Sequence, residues 1–146
     1  MIILIIYLIL LATIHAKLEL MIEGKRMGWA YNLPCWRVDN IITRLLLGKE
    51  ITGYHWYMCL MFLLLFHSPF LFVRWNLTME FKILGFYFLY WIVEDFLWFV
   101  ENPLYRFRNF KKGRIYWHKR WIGKRIPVSY LISAIIGSIL LILGGR

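Results

Sequence analysis

The sequence predicts an all-α, polytopic membrane protein whose four helices form a transmembrane bundle, with an interfacial loop rich in basic and aromatic residues. Three observations lead to this prediction: 61% of the 146 residues are hydrophobic, the apolar residues fall in four long runs, and most basic residues lie between those runs. Ordinary soluble domains are only about 45 to 50% apolar. We therefore interpret residues 1–146 as a single transmembrane domain.

Each apolar run has about the length of one membrane crossing, because a hydrocarbon core of about 30 Å requires about 20 helical residues. Pro69 should kink or end the second helix, and Pro103 should end the third, since proline disfavours helical geometry in the preceding residue. No basic residue precedes the first run, so we interpret it as a retained span and not as a signal peptide. The predicted spans are approximately 2–22, 54–73, 81–100 and 127–143.

The distribution of Lys and Arg predicts the orientation of the chain. Five lie in loop 24–53, nine in loop 101–127 and two in segment 74–82, whereas Lys17 and Arg146 are isolated. The positive-inside rule places the two strongly basic loops in the cytoplasm. The expected localisation is the cell membrane, with several crossings and both termini facing outward.

The third loop, 101–127, interleaves its cations with Tyr, Phe and Trp residues. Aromatic side chains settle at headgroup level and cations attract anionic lipid. We therefore expect membrane lipid, including anionic lipid at the cytoplasmic face, as a partner, although the same pattern would also serve orientation and anchoring alone. Nucleic acid is not an expected partner, because the charge of +10 does not lie on a polar domain of its own. The candidate headgroup ligands are Arg106, Arg108, Lys111, Lys112, Arg114, Lys119 and Arg120.

Ionisable residues inside the apolar runs are candidates for function, because a charge within a bilayer is costly unless it is paired or faces a cavity. On the first span, His15, Glu19 and Glu23 recur every fourth residue and therefore share one helical stripe. We expect His15 and Glu19 to bind a metal ion. Glu23 precedes Lys25 and Arg26, which favours a solvated helix end for it.

The third span carries two carboxylates, Glu94 and Asp95, too deep for a simple surface ion pair. We expect catalytic roles for them, although successive residues on a helix point about 100° apart and need not act in the same way. Glu101 lies at the end of this span and should pair with the basic third loop.

Histidines complete the predicted metal site. By depth, His15, His55, Glu94, Asp95 and His118 can converge near the cytoplasmic end of the bundle. His67 lies about 18 Å further along the second helix than His55, so whether it joins the site stays open. Imidazole and carboxylate groups are typical ligands of Zn or non-haem Fe, and a haem held by two histidines is an alternative. The candidate metal ligands are His15, Glu19, His55, His67, Glu94 and His118.

Three short segments, 94–100, 102–103 and 117–119, resemble motifs of small four-span prokaryotic membrane proteins. The resemblance implies the four-span fold. It implies no activity.

The leading functional hypothesis is a membrane-embedded metalloenzyme, a hydrolase or an oxidoreductase, acting on a lipid-like or other hydrophobic substrate. A metal-bound water could hydrolyse a lipid ester or amide, and two carboxylate-bridged irons could activate oxygen. One alternative is a non-enzymatic lipid-binding or accessory subunit of a larger membrane complex. Another is a small proton or ion transporter, which with four spans would act as a homodimer.

Overall fold

Over residues 2–46 and 49–145, which a computed structural model describes, the chain is mostly helical and contains six α-helices. Two short antiparallel strand pairs, β1 (Arg37–Val38) with β2 (Ile51–Thr52) and β3 (Trp121–Ile122) with β4 (Ile126–Pro127), lie in the loops. The helical fold class predicted from the sequence is confirmed. The helices are α1 (Ile2–Glu23), α2 (Ile41–Leu46), α3 (Gly53–His67), α4 (Leu77–Glu101), α5 (Arg106–Asn109) and α6 (Val128–Gly144).

Within the described residues, α1 and α4 are long and apolar enough to cross a membrane, with 22 and 25 residues. α6 is apolar but shorter, with 17 residues. α3 has 15 residues and continues as a 3₁₀ turn, Ser68–Leu71, that contains Pro69. α4 begins earlier than predicted from the apolar run, because the Asn76 side chain accepts a hydrogen bond from the Met79 N–H and caps the helix there.

α4 lies at the centre of the structure and packs against α1, α3 and α6. Gly85 on α4 and Gly137 on α6 allow their backbones to approach closely, since a Cβ on Gly85 would lie 3.0 Å from the Gly137 carbonyl oxygen. Ala12 and Ala16, both 0% exposed, give α1 a small-residue face. Side chains on different faces of α4 therefore meet different neighbours.

The distribution of polar and apolar side chains is the reverse of that in a soluble protein. Ile3 is 83% exposed and Leu64 is 74% exposed, whereas His15 and Glu94 are each 2% exposed. Soluble proteins rarely bury unpaired charged residues or expose large apolar patches. An exterior of this kind suits a lipid environment.

The third loop folds against the end of α4 instead of lying flat. Phe110, Ile115 and Trp117 are buried with Trp98 and Phe99 of the helix, so part of the aromatic content expected at headgroup level forms a small core. This core fixes the loop and leaves its cations outside. Lys111 is half-buried, and the exposed candidate headgroup ligands are Arg106, Arg108, Lys112, Arg114, Lys119 and Arg120.

Glu101 makes a different ion pair from the expected one. Its Oε2 lies 3.7 Å from the Lys17 Nζ of α1, and in the described part of the chain it has no ion pair with a cation of the third loop. The pair links α1 to the end of α4. Arg146, which contributes to the predicted charge pattern, lies outside the described residues.

Candidate metal centre

The stripe on α1 is buried along its whole length. His15, Glu19 and Glu23 are 2%, 6% and 4% exposed. Their spacing of four residues places them on one face, about one helical turn apart from each other. The expectation of a solvated Glu23 was therefore wrong, and the reason lies in the loop that follows.

The first loop turns back over the end of the stripe. Trp29 and Ala30 have φ angles of 59° and 50°, in the left-handed region, and this turn brings the Ala30 N–H to the Glu23 carboxylate. Arg37 donates to the Ala30 carbonyl and holds the turn in place. The Trp29 ring stacks on His55, with 3.7 Å between ring centroids, so the loop shields both side chains from solvent.

His55 enters the site from the first turn of α3. Thr52 is the N-cap residue of that helix, and its Oγ1 lies 2.7 Å from His55 Nδ1. The other ring nitrogen, Nε2, lies 3.7 Å from an oxygen of Glu19 and 3.5 Å from one of Glu23. When Nδ1 donates to Thr52, Nε2 of the neutral ring has a free lone pair, as a metal ligand requires.

Glu94 projects from α4 towards His15. Its Oε1 lies 3.8 Å from His15 Nδ1, and the Tyr90 hydroxyl, one turn earlier on α4, lies 3.0 Å from the same nitrogen. Within residues 2–46 and 49–145, His15 Nε2 and Glu94 Oε1 are buried without a hydrogen-bond partner. Buried polar atoms nearly always have a partner, so these two atoms are available to a ligand.

The structure brings these side chains into two groups that could hold a metal ion. His15, Glu19 and Glu94 form one group, and Glu19, Glu23 and His55 form the other; within each, the potential ligand atoms lie within 4.8 Å of one another. All five residues are buried. Two imidazoles and three carboxylates are ligand types used by Zn and non-haem Fe, so the donor set fits the predicted metals.

The Asp95 side chain points in a different direction from Glu94, because successive residues on a helix are rotated by about 100°. It accepts hydrogen bonds from the Tyr130 hydroxyl of α6 and from His118, whose Nε2 lies 3.0 Å from Asp95 Oδ2. In the described part of the chain, His118 belongs to neither group of potential metal ligands. The structure therefore assigns it a carboxylate partner where the sequence predicted a metal ligand.

A cavity of about 200 Å³ joins the two arrangements. Lys49 reaches it from the first loop, with its ammonium 3.2 Å from the centroid of the Trp29 ring. Burial lowers the pKa of Lys49, and the nearby carboxylates of Asp95 and Glu19 oppose that shift. The titratable residues that line the cavity are Glu19, Lys49, His55, Cys59, Glu94, Asp95, His118 and Tyr130.

His67 lies near the opposite end of the bundle. Its Nε2 is 3.0 Å from Glu80 Oε1, and its Nδ1 is 2.7 Å from the Leu63 carbonyl oxygen. The second oxygen of Glu80 accepts a hydrogen bond of 2.9 Å from Trp75. About 18 Å of helix separates His67 from His55, so the structure does not bring this predicted ligand to the site.

Sequence reasoning missed several supporting residues. Tyr90 precedes Glu94 by four residues, and Thr52 stands at a cap position three residues before His55; both spacings could have been used to find them. Tyr130 had no such signal, because it comes from a helix distant in sequence.

No protein-family model, curated protein or solved structure matches this chain. The function is therefore inferred from the chemistry of the site.

Proposed function

We propose that this protein is a multi-pass membrane metalloenzyme acting on a lipid-like or other hydrophobic substrate. The observation that carries the proposal is the pair of buried His/Glu groups inside helices with apolar outer faces. Ionisable residues inside a membrane bundle are costly and usually serve function. The accessory-subunit and transporter alternatives would leave the same side chains paired with each other and free of metal.

The topology that we propose has four crossings: α1, α3 with its 3₁₀ extension, α4 and α6. α3 and the turn Ser68–Leu71 together cover residues 53–71, and α6 has 17 residues, which is the lower end of the range for a span. The positive-inside rule then places both basic loops in the cytoplasm. There the exposed cations of the third loop face the anionic leaflet.

Site-directed labelling tests this topology in a background with Cys35→Ser and Cys59→Ser. A membrane-impermeant maleimide applied to intact cells should label Arg74→Cys, and should label Lys112→Cys only after permeabilisation. Both positions are exposed, so a difference in labelling between them reports the side of the membrane on which each residue lies and not its burial in the protein. Labelling of Lys112→Cys in intact cells would contradict the topology and the interaction with cytoplasmic lipid.

The metal site that we propose is held by α1, α3 and α4. His15 and Glu94 contribute atoms that otherwise lack partners, and Thr52 orients His55. Bound zinc or iron would activate a water molecule next to the substrate, and bound iron could instead activate oxygen. The first loop shields His55 with the Trp29 ring and Glu23 with the Ala30 backbone.

Elemental analysis of the detergent-purified, tag-free protein tests the metal site. The native protein and His67→Ala should contain Zn or Fe, because His67 lies near the other end of the bundle. His15→Ala and Glu94→Gln should lose half of the metal or more under identical purification, because removing a ligand or its partner typically weakens metal affinity about tenfold or more. Circular dichroism and gel filtration establish that the variants are folded. Metal-free native protein, or equal metal in all four samples, would contradict the proposal.

The hydrophobic substrate is suggested by an apolar groove next to the polar cavity. The groove has a volume of about 690 Å³ and lies between α4, α6 and the third loop. Ile92 and Tyr130 line both the groove and the cavity, so an acyl chain in the groove would place its polar end near Glu94 and Asp95. Arg125 also lines the groove and is exposed, so its guanidinium could meet a lipid headgroup.

His118 is the group that we assign to proton transfer in this cavity. With Nε2 donating to Asp95, Nδ1 of the neutral ring is free to accept a proton. The Tyr130 hydroxyl donates to the same carboxylate oxygen and fixes the pair. Asp95 thereby positions His118, whereas Glu94 serves the metal side of the site.

His118→Ala should keep the metal content of the native protein and lose about 100-fold or more in turnover, the range that general acid or base catalysis contributes. The assay is mass spectrometry of proteoliposomes made with extracted membrane lipid, before and after incubation. Lys124→Ala is the matched control, because Lys124 is an exposed residue of the same loop and is not one of the candidate headgroup ligands. Unchanged lipid with metal-loaded native protein, or full turnover by His118→Ala, would contradict this assignment.

A further inference from the structure

Glu19 belongs to both groups of potential metal ligands. His15 and Glu94 lie on one side of it, and Glu23 and His55 lie on the other. A carboxylate has two oxygens and can offer one to each of two ions. The arrangement thus has a shared ligand at its centre and two further ligands at each end.

We infer that the site binds two divalent transition-metal ions bridged by the carboxylate of Glu19. The inference rests on the proposed metal function and specifies it further. One ion lies among His15, Glu19 and Glu94, and the other lies among Glu19, Glu23 and His55.

The spacing along α1 favours two ions over one. The midpoint between His15 and Glu19 lies four residues before the midpoint between Glu19 and Glu23. This corresponds to about 6 Å along the helix axis. Ligand bonds to Zn are only about 2.0 to 2.3 Å long. Side-chain adjustment can bring two ions to the separation of about 3.5 to 4 Å that is common in two-metal sites.

Unpartnered atoms point to a ligand independently of the carboxylate cluster. His15 and Glu94, each 2% exposed, contain a ring nitrogen and a carboxylate oxygen without partners in the described part of the chain. In the second group, the contact between Thr52 and His55 Nδ1 leaves Nε2 directed at Glu19 and Glu23. The second group therefore has a histidine nitrogen that faces its carboxylates, and the first group has two buried atoms without a partner.

The charge balance of the site includes a lysine as well as the carboxylates. Glu19, Glu23 and Glu94 are buried close together, and the carboxylate of Asp95 already has His118 and Tyr130 as partners. One divalent ion together with the Lys49 ammonium, which reaches the same cavity, would balance the three glutamates. Two divalent ions leave a positive excess that a hydroxide or the anionic group of a substrate would offset.

The stoichiometry of reloading tests this inference. The full-length protein is stripped with a chelator and reloaded anaerobically with Fe(II) alone, and bound iron per chain is then measured. We expect two equivalents in the native protein and in His67→Ala, and one equivalent in each of His15→Ala and His55→Ala. Loss of one equivalent in His67→Ala would place the second ion beside Glu80 and overturn the inference.

Mössbauer and electron paramagnetic resonance spectra of the reloaded native protein test the bridge directly. Two irons that share a carboxylate should be magnetically coupled, and Glu19→Gln should lose the coupling or the iron. Two uncoupled irons in the native protein would overturn the bridging role, and this readout does not depend on whether the Glu19 variant folds.

The possible stoichiometries separate this inference from the proposed function. One equivalent in the native protein, lost in both His15→Ala and His55→Ala, would overturn the two-ion site and leave a single-metal enzyme. No bound iron after reloading, together with metal-free purified protein, would overturn both.

Discussion

Three glutamate side chains buried at one place in an apolar bundle impose the constraint on which the rest of the structure depends. An ionised carboxylate away from water is unfavourable by several kcal/mol unless positive charge or hydrogen bonds compensate it. Glu19, Glu23 and Glu94 are each no more than 6% exposed. Compensation must therefore come from within the site, and the surrounding elements converge there: α1 and α4 supply the carboxylates, α3 supplies His55, and the first loop closes over them.

The central position of α4 divides the buried polar residues into two sets. Glu94 points towards α1 and the potential metal ligands, whereas Asp95 points towards α6 and the third loop. The two sets line one cavity, so a substrate there would contact both. Consecutive carboxylates on one helix can in this way separate metal binding from proton transfer, because the helical rotation of about 100° per residue turns them to different neighbours.

Helical periodicity made part of this site predictable. The spacing of His15 and Glu19 and the depth of His55 indicated convergence near one end of the bundle, and the structure places these residues together. Glu23 was misjudged because its neighbours Lys25 and Arg26 suggested a solvated end. The left-handed turn at Trp29 and Ala30, which no periodicity reveals, buries it. The partner of His118 was equally hidden, since its position depends on how a loop folds against α4 and not on depth in a helix.

The most direct test of the metal centre is an anomalous difference map at the iron and zinc absorption edges, from crystals of protein purified without chelators. We expect strong density between α1, α3 and α4 within bonding distance of Glu19, resolved into two peaks where both ions are bound. Absence of a peak there, with Glu19 and Glu94 close enough to share a proton, would contradict it. The buried carboxylates would then form a metal-free polar network.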